Sequence, residues 1–392
     1  MGAHHPRHAA PTNRRLRRIA AAIMAPIAVI TLAAMIWLWP SEDISVPEQP
    51  GSADQLNGEI VSIEREPCPQ QLEEDVNGCG TTRVKITKGD AEGETVTAPL
   101  PNGPGAPQIA EGDQVVLITS TTPDGDVFSV VDHQRGKGLW ILAAAFALAL
   151  VAFGRLRGLT ALFGLAVTFG VLLFFVVPAI LAGESPLLIA IVGSAAIALT
   201  VLYLTHGFSL STTVAVLGTL ISFALTGVLS AIAVSALHLT GIVDDISASL
   251  GLTHSVNMQG LLLAGIVIGS LGVLDDVTVT QAATVAEVAH ANPAYGVREL
   301  YRAGTRVGRS HIASVVNTII LAYAGSSLPL LILIIANNES VGTVLTDQIV
   351  AQEIVRSVVG TLGLVAAVPV TTALAALVVR RAATEDPTTE PH

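Results

Sequence analysis

Eight apolar runs constrain this chain more than any other feature of its 392 residues. They lie at Ile19–Trp39, Leu139–Phe153, Leu159–Leu181, Pro186–Leu204, Thr213–Leu237, Gly260–Val285, Ile312–Ala336 and Ile354–Val379. The first, at 1.5 Å per residue, makes about 31 Å of helix, enough to cross the hydrocarbon core of a bilayer. Length alone would predict two or three soluble domains. With only 13% charged residues, against about 25% in a soluble domain, the chain lacks the material to cover aqueous surfaces of that size.

Orientation follows from the arginines. Arg14, Arg15, Arg17 and Arg18 precede the first run, Arg155 and Arg157 follow the second, and Arg380 and Arg381 end the eighth. Arg298, Arg302, Arg306 and Arg309 lie between the sixth and seventh. By the positive-inside rule all of these fall on the cytoplasmic side, with Arg356 the one dissenter. Trp37-Leu38-Trp39-Pro40 offers no small-x-small cleavage site, so the first run reads as an uncleaved helix.

The net charge of −11 is unevenly spread: 18 acidic and 5 basic residues fall between Glu42 and Arg135, leaving 13 acidic and 15 basic elsewhere. The acidic segment holds five short strand-like runs, Gly58–Glu64, Arg83–Thr87, Thr95–Ala98, Gln114–Thr119 and Val127–Asp132, separated by Pro/Gly-rich turns. Five strands in this length predict a small closed barrel. Cys68 and Cys79 are the only cysteines; on the oxidising side of the membrane they read as a disulfide. The acidic balance and a single aromatic, Phe128, argue against nucleic acid.

The expected architecture is therefore an α-helical polytopic membrane protein of about eight transmembrane helices, with a small extracytoplasmic all-β domain (OB/SH3-like barrel) inserted between helices 1 and 2. Residues 1–18 form a basic cytoplasmic tail and 19–39 the first helix. Residues 41–136 form the β domain, 137–381 a seven-helix transmembrane domain, and 382–392 a cytoplasmic tail. The predicted location is the bacterial plasma membrane, with both termini cytoplasmic.

Polar residues inside apolar helices cost free energy and are functional candidates. The sixth run carries Asp275 and Asp276, and Asp276, Thr280, Thr284 and Glu287 share one helix face by their 4, 4, 3 spacing. Arg298, Arg302, Arg306 and Arg309 repeat that spacing beyond Asn292-Pro293. Folded back as a hairpin, the segments would pair Glu287 with Arg298, Thr284 with Arg302, Thr280 with Arg306 and Asp276 with Arg309. The other reading is a basic amphipathic helix on the anionic inner leaflet. Pro178, Pro369, Asn317 and the Gly325-Ser326-Ser327 cluster are expected to interrupt their helices around a cavity, although such residues also pack ordinary membrane helices. Gly241–Ser249 and Gly272–Thr280 share a short Asp-Asp pattern that echoes an internal repeat.

The histidines show no metal-ligand spacing, and no nucleophile elbow or phosphate loop is present. The reading is non-enzymatic, with neither cofactor nor metal. A transporter or permease component for a small solute or ion is expected, proton-coupled through Asp275 or Asp276, with Asn317 beside the path. The alternative is an envelope scaffold acting through the β domain. Expected partners are the lipid bilayer, a solute or ion, and a second copy or an envelope protein.

Two strings, GSLGVLDDVTVT at 269–280 and GRSHIASVVNTIILAYAGSSLP at 308–329, resemble the YibE/F family of bacterial polytopic membrane proteins. The resemblance runs from about residue 50 to 380, β segment included. It implies a multi-pass membrane protein, names no substrate, and leaves open which of Asp275 and Asp276 matters.

Overall fold

The computed structural model describes residues 14–40, 54–68, 76–89, 91–122, 125–243, 245–336 and 340–384. The readings made on residues 1–13, on 41–53, on Asp244 and on 385–392 lie outside the described residues. The chain divides into two compact units, Ser45–Arg155 and Met1–Ile44 with Leu156–His392.

The first unit contains all five expected strands, each longer than its apolar pattern: β1 (Asp54–Glu66), β2 (Cys79–Lys88), β3 (Thr95–Pro99), β4 (Gln114–Thr122) and β5 (Gly125–His133). They form one antiparallel sheet in the order β3-β2-β1-β4-β5. Alternation puts Val84 and Ile86 of β2, Val115 and Leu117 of β4, and Leu56 and Ile60 of β1 on one buried face. Register shifts in β1 and β4 curl the sheet.

The expected closed barrel is corrected to an open half-barrel: among the described residues no ladder joins β3 to β5. β3 has five residues and ends at Pro99, which has no N–H to extend a ladder. Cys68 and Cys79 form a disulfide at the start of β2. Beside it Asn77, 6% exposed, staples the following loop. Its Nδ2 donates to the carbonyls of Pro101 (2.6 Å) and Pro107 (2.8 Å), and its Oδ1 accepts from the Ile109 N–H (2.9 Å).

At the end of β5, Asp132 accepts from Arg135 at 2.5 Å. That hydrogen bond holds the Asp132 carboxyl below the usual carboxylate range. Helix α2 (Gly136–Gly154) follows, apolar around its whole circumference and with no buried residue.

The second unit is helical: α1 (Arg14–Trp37), α3 (Leu156–Val171), α4 (Val177–Leu181), α5 (Pro186–His206), α6 (Leu210–Ala236), α7 (Asp245–His254), α8 (Met258–Ala291), α9 (Val297–Ser326), α10 (Leu328–Ala336), α11 (Val341–Thr346) and α12 (Gln348–Thr384). A π turn, Leu172–Val176, joins α3 to α4. Pro178 brings no N–H to the ladder, so the preceding turn widens. Pro369 and Asn317, by contrast, do not interrupt their helices: α12 and α9 run through them.

Seven helices among the described residues are long and apolar enough to cross a membrane. The seventh expected run, Ile312–Ala336, departs from the expectation. It is shared between α9, which starts at Val297 and carries four arginines, and α10. The break falls at Ser327, in the anticipated Gly-Ser-Ser cluster, and Pro329 occupies the first turn of α10, where its missing N–H costs nothing.

Helices α6, α8 and α12 pack on one another; α9 lies on α8 and α12, α5 on α8, and α3 and α1 on α5. Their backbones approach closely at small residues. A Cβ added at Gly218 would collide with Thr371, and one at Gly363 with Thr226.

Candidate functional site

The centre of the helical unit is polar but tightly filled. Gln281 of α8 is 3% exposed, and its Nε2 donates to the Gly304 carbonyl of α9 (2.7 Å) and to Thr372 Oγ1 of α12 (2.8 Å). Thr372 passes its own proton to the Val368 carbonyl at 2.6 Å. One turn away, the Thr278 hydroxyl donates to the Asp275 carbonyl (3.0 Å) and lies 2.6 Å from that of Thr219 on α6. With its single proton committed, Thr278 accepts and Thr219 donates.

Glycines make this junction. A Cβ at Gly304 would stand 2.8 Å from side-chain carbons of Thr372 and Val285, and one at Gly308 would stand 2.5 Å from Val368. One amide thus ties three helices together where their backbones approach closely.

The residues anticipated as an ion-paired seam lie elsewhere. Asp276, Thr280 and Glu287 are exposed on α8, as are Arg298, Arg302, Arg306 and Arg309 on α9. Thr284 is half-buried and its hydroxyl donates to the Thr280 carbonyl at 2.8 Å. Among the described residues, none of the four expected pairings makes an ion pair or hydrogen bond.

The reason is the small face of α9. Leu300, Gly304 and Gly308 are buried, and Arg298, Arg302 and Arg306 are offset from them by two residues, about 200° around the helix. The hairpin forms as expected, with α8 and α9 joined across Asn292–Gly296, but the fit is by bare backbone and Gln281. Asp275 is half-buried; Asn317 is exposed.

A cavity of about 450 Å³ opens instead between the second half of α9, α10, α11 and the first turns of α12. Its wall is almost wholly apolar, with Ile320, Leu331, Leu345, Val350 and Leu362 prominent; Tyr323, Ser327, Glu353, Ser357 and Thr361 also border it. Neither Asp276 nor Asn317 reaches it.

Glu353 forms an ion pair with Arg356 one turn on, Oε1 to Nη1 at 3.1 Å, with both side chains less than a third accessible. Its other oxygen, Oε2, is buried and accepts no hydrogen bond; Arg356 Nε and Thr361 Oγ1 are likewise buried without a partner. Tyr323 links this wall to α8: a Cβ at Gly269 would lie 3.3 Å from its hydroxyl, so the phenol rests against bare backbone.

Glu353 and Tyr323 were not singled out by sequence reasoning. The available signal was Arg356, the one charge against the orientation rule, with a carboxylate three residues before it. Gln281 had no such signal, since an amide in an apolar helix reads the same whether it is a tie or a surface residue.

Among the described residues no group of three or more His, Cys, Asp or Glu side chains is placed to hold a metal ion. No match to the chain was found among the curated proteins or the solved structures. A family model described as YibE/F-like protein matches residues 142–381. The match takes in most of α2, all of α3 to α11 and nearly all of α12, and it leaves out the five-stranded sheet that the sequence resemblance had included. The strings around Asp275 and Tyr323 both fall inside it, and the chain belongs to the YibE/F-like family.

Proposed function

We propose that the protein is a multi-pass protein of the bacterial plasma membrane that moves a small solute or ion across it. The observation that carries this reading is a cavity of about 450 Å³ bordered by Glu353, among helices long and apolar enough to cross a bilayer. Buried ionisable groups in such helices are costly and mark binding sites and ion paths. The cavity falls in the size range of small-molecule pockets.

Both termini are assigned to the cytoplasm and the β unit to the outside. The arginine clusters and the Cys68–Cys79 disulfide support this orientation. The protein acts without catalysis, and Asp275 or Asp276 couples movement to protons. Lipid is its first partner.

The test is flux in vesicles reconstituted with the full chain, comparing wild type with Asp275→Asn, Asp276→Asn and Glu353→Gln. Transport predicts solute movement above protein-free vesicles and a loss of the proton-gradient response in one of the aspartate variants. If no solute tried moves faster than in empty vesicles, the reading fails; equal gradient responses in all variants remove the coupling role.

A second reading, an envelope scaffold working through the β unit, draws on the tight junction around Gln281 and on the positions of Asp276 and Asn317 outside the cavity. It predicts capture of a second copy or an envelope protein in a β-unit-dependent manner, with no flux.

A further inference from the structure

We infer that the outward face of α9 holds the phosphate headgroups of anionic lipids, drawn inward along Arg298, Arg302, Arg306 and Arg309 below their level on the rest of the unit. The inference rests on reading the helical unit as membrane-spanning, and is independent of what crosses it.

The face matches a lipid from head to tail. The four arginines lie within about 80° of one another around α9, and all are exposed. Beyond Arg309 the same face continues as Ala313, Ile320 and Ala324, also exposed but apolar. At the near end stands Tyr295, 38% exposed, a residue type that anchors at the membrane–water interface.

The depth of the stripe follows from the close contacts of the bundle. α12 runs antiparallel to α6, since Gly218 meets Thr371 and Gly363 meets Thr226. α9 runs antiparallel to α12, since Gly304 meets Thr372 and Gly308 meets Val368. Val368 lies three residues before Thr371, so Gly308 is level with Ile221, three residues beyond Gly218. Ile221 stands near the middle of α6, a 27-residue helix about 40 Å long. A hydrocarbon layer of about 30 Å centred on α6 places Arg298 and Arg302 at its edge and Arg309 about 12 Å inside.

On another flank the same depth is apolar. Gly164 of α3 packs on Val201 and Thr205 at the end of α5, where the Thr212 hydroxyl of α6 donates to the His206 carbonyl. Phe163, 60% exposed, and Leu159, 55%, therefore meet lipid tails at about the level of Arg302.

A charged side chain facing lipid tails is costly, and the cost falls where the bilayer thins and headgroups approach. Guanidinium groups bind phosphate oxygens in bidentate fashion. Each basic residue near an anionic leaflet strengthens attraction about fivefold. The neighbouring acids Asp276, Glu287 and Glu299 make no ion pair with the four arginines among the described residues. The stripe therefore keeps its charge for an outside partner. A second copy presenting this face would set arginine against arginine, and a small free anion would find no enclosure on an outward helix face.

The test titrates the purified full-length protein in neutral detergent with phosphatidylglycerol or phosphatidylcholine of the same chains, reading the thermal unfolding midpoint. Phosphatidylglycerol should act at a concentration about tenfold lower or more. Arg306→Gln with Arg309→Gln, which empties the deep half of the stripe, should bring the two lipids to within about threefold. Arg306→Lys with Arg309→Lys keeps the charge and should keep the preference. So should Lys85→Gln with Lys88→Gln, which makes the same charge change in the β unit. Glycerol phosphate, the headgroup without its chains, should leave the midpoint unmoved.

Equal action of the two lipids on wild type overturns the inference. So does a preference that survives the Gln pair on α9, or one lost equally in the Lys pair there or in the β-unit control. A glycerol phosphate effect matching that of the lipid would make this a free-anion site. A dimer in light scattering that the Gln pair on α9 splits would put a second copy on this face instead. Flux in vesicles is a separate readout, so a failure here leaves the transport reading to its own test.

Discussion

Gln281 and Asn317 are both amides on neighbouring helices, and their environments separate them completely. Gln281 is closed in by Gly304, Gly308 and Thr372 and spends both amide protons on α9 and α12. Asn317 stands on an exposed face of α9. Gln281→Ala removes two buried hydrogen bonds and leaves a void. It should lower the stability of the purified protein by about 1–3 kcal/mol in thermal or denaturant unfolding. Asn317→Ala should stay within about 0.5 kcal/mol. Equal effects would mean that Gln281 does not tie the helices. A sequence shows that an amide is present in an apolar helix; whether it finds partners depends on which glycines sit opposite, and those lie 23 and 27 residues away in the chain.

The α8–α9 hairpin was legible in the sequence down to its turn, because Asn292-Pro293 ends one helix and the 3.6-residue period resumes beyond it. Its packing face was not. Two charged tetrads with matching spacing invite pairing, yet a helix offers several faces with the same period. The face chosen is the one with the smallest residues, since two backbones approach closest there. The double-mutant cycle of Arg309→Asp and Asp276→Arg follows from this. With both side chains exposed and unpaired to each other, the coupling energy in unfolding experiments should be under about 0.5 kcal/mol. A rescue larger than that would restore the ion-paired seam.

The break at Ser327 and the π turn before Pro178 were legible as disruptions from Gly, Ser and Pro alone. Their outcomes differed because Pro369 and Asn317, equally conspicuous, are carried through by the surrounding helix. The strands of the β unit were legible because a period of two with turn residues between has few other solutions. Closure into a barrel was not, because it depends on whether the two edge strands can supply a ladder.

At the scale of the molecule, eight apolar runs become, among the described residues, seven helices long and apolar enough to cross a membrane, plus the divided pair α9 and α10. The number of crossings decides on which side the C-terminus falls: with α9–α10 as an eighth crossing both termini share a side, and without it they do not. Single cysteines introduced at Tyr295 and Ser340, read with a membrane-impermeant maleimide in intact cells, distinguish the two. An eighth crossing predicts labelling at Ser340 and none at Tyr295 until the membrane is opened; the same response at both positions excludes it. Cys68 and Cys79, joined in the disulfide, stay silent.

The sequence by itself determined that there are five strands and seven of the eight expected apolar spans, the acidic and basic partition of the chain, and the family. These depend on local periodicity, composition and short contiguous strings. Only the tertiary structure decided that the sheet stays open, that Gln281 rather than the arginine tetrad joins α8 to α9, and that the cavity forms around Tyr323 and Glu353. Each of these turns on which faces meet across long sequence separations, and that is set by the close approach of glycines and the satisfaction of buried polar groups, which no local pattern encodes.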